Sequence, residues 1–166
     1  MSTLVVVESY FGNTWKIGEA IAAALPDAAL VRVDEAPQQV DTTIDLLILG
    51  APTHAFTLPT ADSRREAAKR RTAGSMSAQE RRFHPSTTGL REWIHAASVP
   101  ETTRIITFDT CVKGAGPLFG RASKKAVKVL NSTHPSANRG ETFWVSAADE
   151  LHEGEIARAA AWAGEL

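Results

Sequence analysis

The residues best suited to chemistry follow the first apolar run of the chain. Glu8-Ser9-Tyr10-Phe11-Gly12-Asn13-Thr14 stands between the run at 4–7 and a helical pattern that opens near Trp15. A turn that closes a strand and starts a helix offers a ligand unpaired backbone N–H groups and the positive end of a helix dipole. Ser9, Asn13 and Thr14 add hydroxyl and amide donors, and Gly12 lets the backbone come close. No acid lies between Ser9 and Trp15. The combination suits a phosphate monoester. Ordinary helix capping by Asn or Thr uses the same residue types.

Two further groups stand at corresponding places. Gly50-Ala51-Pro52-Thr53-His54 follows the third apolar run, and Thr107-Phe108-Asp109-Thr110 closes the fourth. Cys111 is the one cysteine, which excludes an internal disulfide and a multi-cysteine metal cluster. It reads as a small packing residue, since nothing predicts a lowered thiol pKa. The five histidines (54, 84, 95, 134 and 152) show no metal-ligand spacing, so no metal is expected. There is no Walker A loop and no Gly-x-Ser-x-Gly elbow. The glycines at 114–120 are spaced one residue too far for the dinucleotide fingerprint, although a second phosphate site there remains a reading. The acids do not form the aspartate cluster of a response regulator; Glu8 alone lies near the first strand end.

The elements that must position these groups alternate along the chain. Apolar runs at 4–7, 29–33, 44–49 and 104–108, with a weaker one at 142–146, predict strands. The first and third are nearly continuous Val, Leu and Ile, as in strands buried on both faces of a parallel sheet. Helical patterns at 15–25, 87–97, 121–130 and 153–164 each carry an apolar stripe. The alternation predicts a doubly wound α/β fold in one domain spanning 1–166. Trp93 and Trp144 read as core or interface anchors.

The stretch 57–89 breaks this rhythm. It carries seven Lys/Arg against three acids, about +4, while the chain as a whole stands at −1. It reads as a basic insertion with a short helix at 62–71, capped by Asp62 or Ser63. Its surface is open to three readings: a solvated face, a grip on the phosphates of a nicotinamide cofactor by Arg64 to Arg82, or a docking surface for an acidic partner. The near-zero net charge argues against a nucleic-acid binder, and no run approaches 18 apolar residues. A cytoplasmic protein without a membrane span is expected.

The phosphate turn closely resembles that of the flavodoxin family, a Ser/Thr-rich loop containing Gly-Asn-Thr after the first strand. The order of the three loops matches over essentially the whole chain. The likeness is to small flavodoxin-domain proteins of high-GC bacteria, with Glu-Ser-x-Phe-Gly-Asn-Thr and Pro-Thr-His. The resemblance implies a flavodoxin-like three-layer sandwich, with a five-stranded parallel sheet of order 2-1-3-4-5. It implies FMN at the switch point between strands 1 and 3. Ser9, Phe11, Gly12, Asn13 and Thr14 would hold its phosphate. Pro52, Thr53, His54 and Phe56 would line one side of the ring, and Thr110, Cys111 and Lys113 the other. A deazaflavin would satisfy the same phosphate loop.

Departures from the family bear on function. Flavodoxins commonly stack an aromatic on each ring face, yet here the first ring loop offers only His54 and Phe56, and the second no aromatic before Phe119. No Gly lies between Gly50 and Gly74, so a peptide flip toward the flavin would be costly. The acidic surface of electron carriers is missing. Lys113 near the N1/O2 edge would stabilise anionic reduced flavin and favour two-electron chemistry; a solvated loop lysine is the plainer reading. The expected function is an FMN oxidoreductase that takes electrons from NAD(P)H to a small acceptor such as a quinone. The alternatives are an electron-transfer protein serving a protein partner and a flavin-free regulatory or scaffold protein.

Overall fold

The computed structural model describes residues 1–54, 57–73, 88–114 and 121–166, with the side chains of 70–73 excepted. Five strands, β1 (Thr3–Val7), β2 (Ala28–Arg32), β3 (Leu46–Pro52), β4 (Arg104–Val112) and β5 (Asn138–Val145), pair in parallel. Their order is β2-β1-β3-β4-β5, the order expected from sequence. The helices are α1 (Asn13–Ala24), α2 (Ala61–Ala73), α3 (Leu90–Ala96), α4 (Ala122–Leu130) and α5 (Glu155–Ala163).

Alternation along each central strand builds two cores. From β1, Leu4 and Val6 face one side with Leu47, Leu49, Ile105, Trp93 and Ala126. Val5 and Val7 face the other with Leu46, Ile48, Phe108, Ile17 and Ala159. A strand packed on both faces needs apolar residues at every position, which is why these runs lack polar alternation. Helices α1 and α5 pack on each other over the second face. Helices α3 and α4 cover the first.

Helix α2 starts at Ala61, and its cap is Thr60 instead of Asp62 or Ser63. Ser63 N–H donates to Thr60 Oγ1 at 3.2 Å while Thr60 N–H donates to Ser63 Oγ at 2.8 Å. This is a reciprocal capping box. Trp93 is a core anchor, its indole N–H donating to Pro37 O at 3.2 Å. Among the described residues no helix is long and apolar enough to cross a membrane, and no group of three His, Cys, Asp or Glu could hold a metal ion.

Candidate functional site

Parallel pairing brings the C-terminal ends of β1, β3 and β4 to one edge. There Gly12 takes φ +88°, a left-handed turn that a β-carbon would strain, and α1 begins at Asn13. Trp15 N–H donates to Ser9 Oγ at 3.3 Å and folds the turn back onto the helix. Thr14 Oγ1 meets Thr110 Oγ1 at 2.8 Å, with both side chains buried. This bond ties the phosphate turn to β4. Asn13 Nδ2 donates to Asp149 O at 2.5 Å, where Asp149 takes φ +59°. The β5–α5 loop is therefore a fourth wall of the site, which the sequence reading missed. Its only sequence signal is the Asp-Glu pair after Ser146-Ala147-Ala148.

The helix starts differ in what meets them. At α3, Leu90 N–H donates to Glu8 Oε2 at 2.8 Å. At α4, Ala122 N–H donates to Thr53 Oγ1 at 2.9 Å, and Ser123 sends both its N–H (2.9 Å) and its O–H (2.7 Å) to Asp109 Oδ2. A carboxylate thus serves the first turn of each. Helix α1 gets no side-chain cap from Gly12 and holds no acid in its first turn; the side chain that meets it is the neutral Ser9 hydroxyl. An anion suits α1; at α4 it would face the Asp109 carboxylate. That weighs against a second phosphate site in the 114–120 run, of which 115–120 lie outside the described residues.

The remaining sequence candidates divide between the two faces. Pro52 closes β3, and Thr53 N–H donates to Thr110 O at 2.7 Å. His54 and Thr57 exchange two backbone bonds of 3.1 Å each. Phe56 lies outside the described residues. The His54 ring stands edge-on to Tyr10 at 6.1 Å, and Phe11 does the same at 6.4 Å, which brings the first two loops together. Thr110 and Cys111 belong to β4, not to the loop after it, so they point to opposite faces. Thr110 turns to α1. Cys111 turns to the start of α4, where Arg121 Nη1 donates to its sulfur at 2.7 Å. Burial pushes the Cys111 thiol up against the opposing pull of Arg121, which agrees with an unreactive packing residue. Lys113 is exposed, its backbone N–H donating to Val145 O at 3.1 Å.

Beneath the phosphate turn lies an ion network that the sequence did not announce. Arg64 of α2 is 3% exposed. Its Nη1 stands 3.4 Å from Glu8 Oε1 and its Nη2 2.9 Å from Glu92 Oε1. Tyr10 O–H and Ser63 Oγ share a hydrogen bond of 3.2 Å beside it. Gly89 fits because a β-carbon there would stand 2.0 Å from Arg64 Nη1. In the described part of the basic stretch, Arg64 thus serves the interior, Arg65 pairs with Asp62, and Lys69 lies 3.9 Å from Glu66. Arg64 is thereby taken out of any grip on cofactor phosphates, while Arg65 and Lys69 stand exposed; the side chains of Arg70 and Arg71, and Arg81 and Arg82, lie outside the described residues.

The two carboxyls of the network shift in opposite directions. Burial drives Glu8 up, against the Leu90 N–H and the Arg64 guanidinium. Glu92 is less buried: its desolvation pushes it up, but the Arg64 hydrogen bond, the backbone N–H groups of Glu92 and Gly89 and the Arg64 charge together hold it down. Burial and the Glu8 carboxylate both raise the Tyr10 phenol. A raised Glu8 binds its proton more tightly in the folded state than in the unfolded chain. Its contribution is favourable below the ordinary value of 4.5 and is lost as pH rises through the folded value. We expect the stability of the wild type relative to Glu8→Gln to fall as pH rises from 4.5 to the raised folded value, and to level off above it. The limiting slope is about 1.4 kcal/mol per pH unit. Urea unfolding of both proteins from pH 4 to 8 reads it; a difference that stays flat or rises with pH would reject the shift.

No protein-family model and no curated protein sequence matches the chain. Solved structures do. Flavodoxin 1 from Bacillus cereus superposes with a TM-score of 0.58 at 14% identity, covering 99% of this chain and 96% of that one. A flavodoxin from Streptococcus pneumonia TIGR4 gives 0.57 at 17% identity, covering 99% and 96%. A flavodoxin from the domain Archaea gives 0.56 at 12% identity, covering 99% and 95%. The chain has the flavodoxin-like α/β fold.

Proposed function

We propose that the chain is a single flavodoxin-like domain, with 57–89 as an insertion, that binds FMN noncovalently and acts as an oxidoreductase. Electrons would pass from a reduced nicotinamide to a small acceptor such as a quinone. The observation that carries the reading is the start of α1, whose first turn holds no acid and is met by the neutral Ser9 hydroxyl, while other elements supply carboxylates to α3 and α4. The isoalloxazine supplies the electron chemistry; the protein binds and orients it. The backbone of Gly12 to Thr14 and the hydroxyl of Ser9 would hold the phosphate. Thr14 and Thr110 would fix the cradle against β4, and Asn13 would fix it against the β5–α5 loop. His54 from the second loop and Tyr10 from the first would border the ring.

Flavin fluorescence quenching during FMN titration tests this directly. Saturable micromolar binding is expected, and no binding at high FMN excess would favour the flavin-free reading. The double variant Asn13→Ala/Thr14→Ala should bind at least tenfold more weakly, about 1.4 kcal/mol. A folded double variant of unchanged affinity would remove the phosphate-turn assignment. Steady NAD(P)H oxidation with a quinone supports the enzyme; its absence in an FMN-loaded protein would favour a carrier serving a protein partner.

A further inference from the structure

The sequence nominates Lys113 as a cation for the reduced flavin. The structure holds another, Arg121, against Cys111 and beside Thr53, two of the candidate ring residues. Arg121 precedes α4, and its guanidinium is gripped on two sides. Nη1 donates to Cys111 Sγ at 2.7 Å, and the guanidinium carbon stands 5.0 Å over the Trp144 ring. Cys111 and Trp144 are register partners on β4 and β5, so both grips come from the sheet. The next residue, Ala122, donates its N–H to Thr53 Oγ1 at 2.9 Å, which sets Arg121 beside the end of β3 as well. Arg121 is half-buried, whereas Lys113 is exposed.

We infer that Arg121, not Lys113, is the residue that sets the reduction potential of the bound flavin. The inference rests on the FMN reading above and deepens it. Uptake of two electrons and one proton leaves the isoalloxazine with one negative charge, delocalised over its pyrimidine edge. A cation fixed beforehand stabilises that charge without reorganising at the moment of reduction. A half-buried guanidinium held by a ring and a thiol is screened less than an ammonium in open solvent. The contact with the Trp144 ring holds the guanidinium at little further entropic cost. The site would thus favour reduction to the two-electron, singly protonated flavin and suit a donor that delivers an electron pair.

The test is an equilibrium reductive titration of the FMN-loaded full chain against an indicator dye, with FMN affinity measured in both redox states. Arg121→Gln should lower the ratio of reduced to oxidised affinity about tenfold, which lowers the two-electron midpoint by about 30 mV. Arg121→Lys should keep most of the wild-type value, and Lys113→Gln should leave it unmoved. If the Gln variant does not fold, Arg121→Met, apolar and of similar length, carries the same expectation. An Arg121 variant that loads FMN with the wild-type ratio overturns the inference and leaves the FMN reading standing. So does a larger shift in Lys113→Gln. A wild type that takes up no FMN brings down the FMN reading itself, and the inference with it.

Discussion

Arg64→Ala should cost the fold about 3–5 kcal/mol. The guanidinium sits between Glu8 and Glu92 with its side chain 4% exposed, like that of Glu8. Truncation leaves Glu8 buried with the Leu90 N–H but without a countercharge, and an uncompensated buried charge is the expensive outcome. The damage should spread to the candidate site. Arg91, one residue into α3, donates to Leu58 O at 2.9 Å and to Pro59 O at 3.3 Å, so α3 pins the loop that carries His54. Loosening the network should therefore weaken FMN binding as well. Arg65, whose partner Asp62 is largely exposed, serves as the control. Its Ala variant should change stability by no more than about 0.5 kcal/mol. Urea unfolding of Arg64→Ala, Glu8→Gln and the double variant Glu8→Gln/Arg64→Ala checks the account. The double variant should lose less than its two single variants together, by about 0.5–3 kcal/mol. Strict additivity, or an Arg64→Ala loss as small as that of Arg65→Ala, would show that the pair is not coupled.

How far the sequence could be read follows from where its signals are local. The apolar runs of β1 and β3 name their elements because a strand buried on both faces leaves no polar position. β5 was half seen. Its first residues, Asn138-Arg139-Gly140-Glu141, are polar, since the strand lies at the sheet edge and its register shifts where Gly140 meets the Trp162 ring. β4 runs on to Val112, because Thr110 and Cys111 keep pairing beyond the apolar stretch. The phosphate turn was legible as a contiguous string. Glu8 with Arg64 and Asn13 with Asp149 were not, because the partners lie 56 and 136 residues apart. Nothing in the residue types of Arg64 separates it from Arg65 beside it. Only the packing of α2 and α3 against the end of β1 turns one inward and leaves the other in solvent.

Phe108→Ala is expected to cost a further large sum, about 3–5 kcal/mol. The ring is 1% exposed and lies edge-on to Phe143 at 6.0 Å and to Trp162 at 6.4 Å. Its third wall is the backbone of Gly50. A β-carbon there would stand 2.1 Å from Phe108 Cζ. Gly50 is thus required by close approach and not by its dihedral angle, since its φ is not positive. Gly50→Ala should cost at least the upper part of about 1–3 kcal/mol, because two aromatic neighbours block the ring from retreating. Shortening the ring residue makes the room. Gly50→Ala/Phe108→Leu should therefore lose less than its two single variants together, which thermal or urea unfolding reads directly. Gly50 also accepts the Glu8 N–H at 2.9 Å, so its displacement moves the root of the phosphate turn. FMN affinity should fall in Gly50→Ala and partly return in the double variant. A Gly50→Ala protein as stable as the wild type would mean that Phe108 does not occupy that space. A destabilised one with unchanged FMN affinity would separate the second core from the cradle above it.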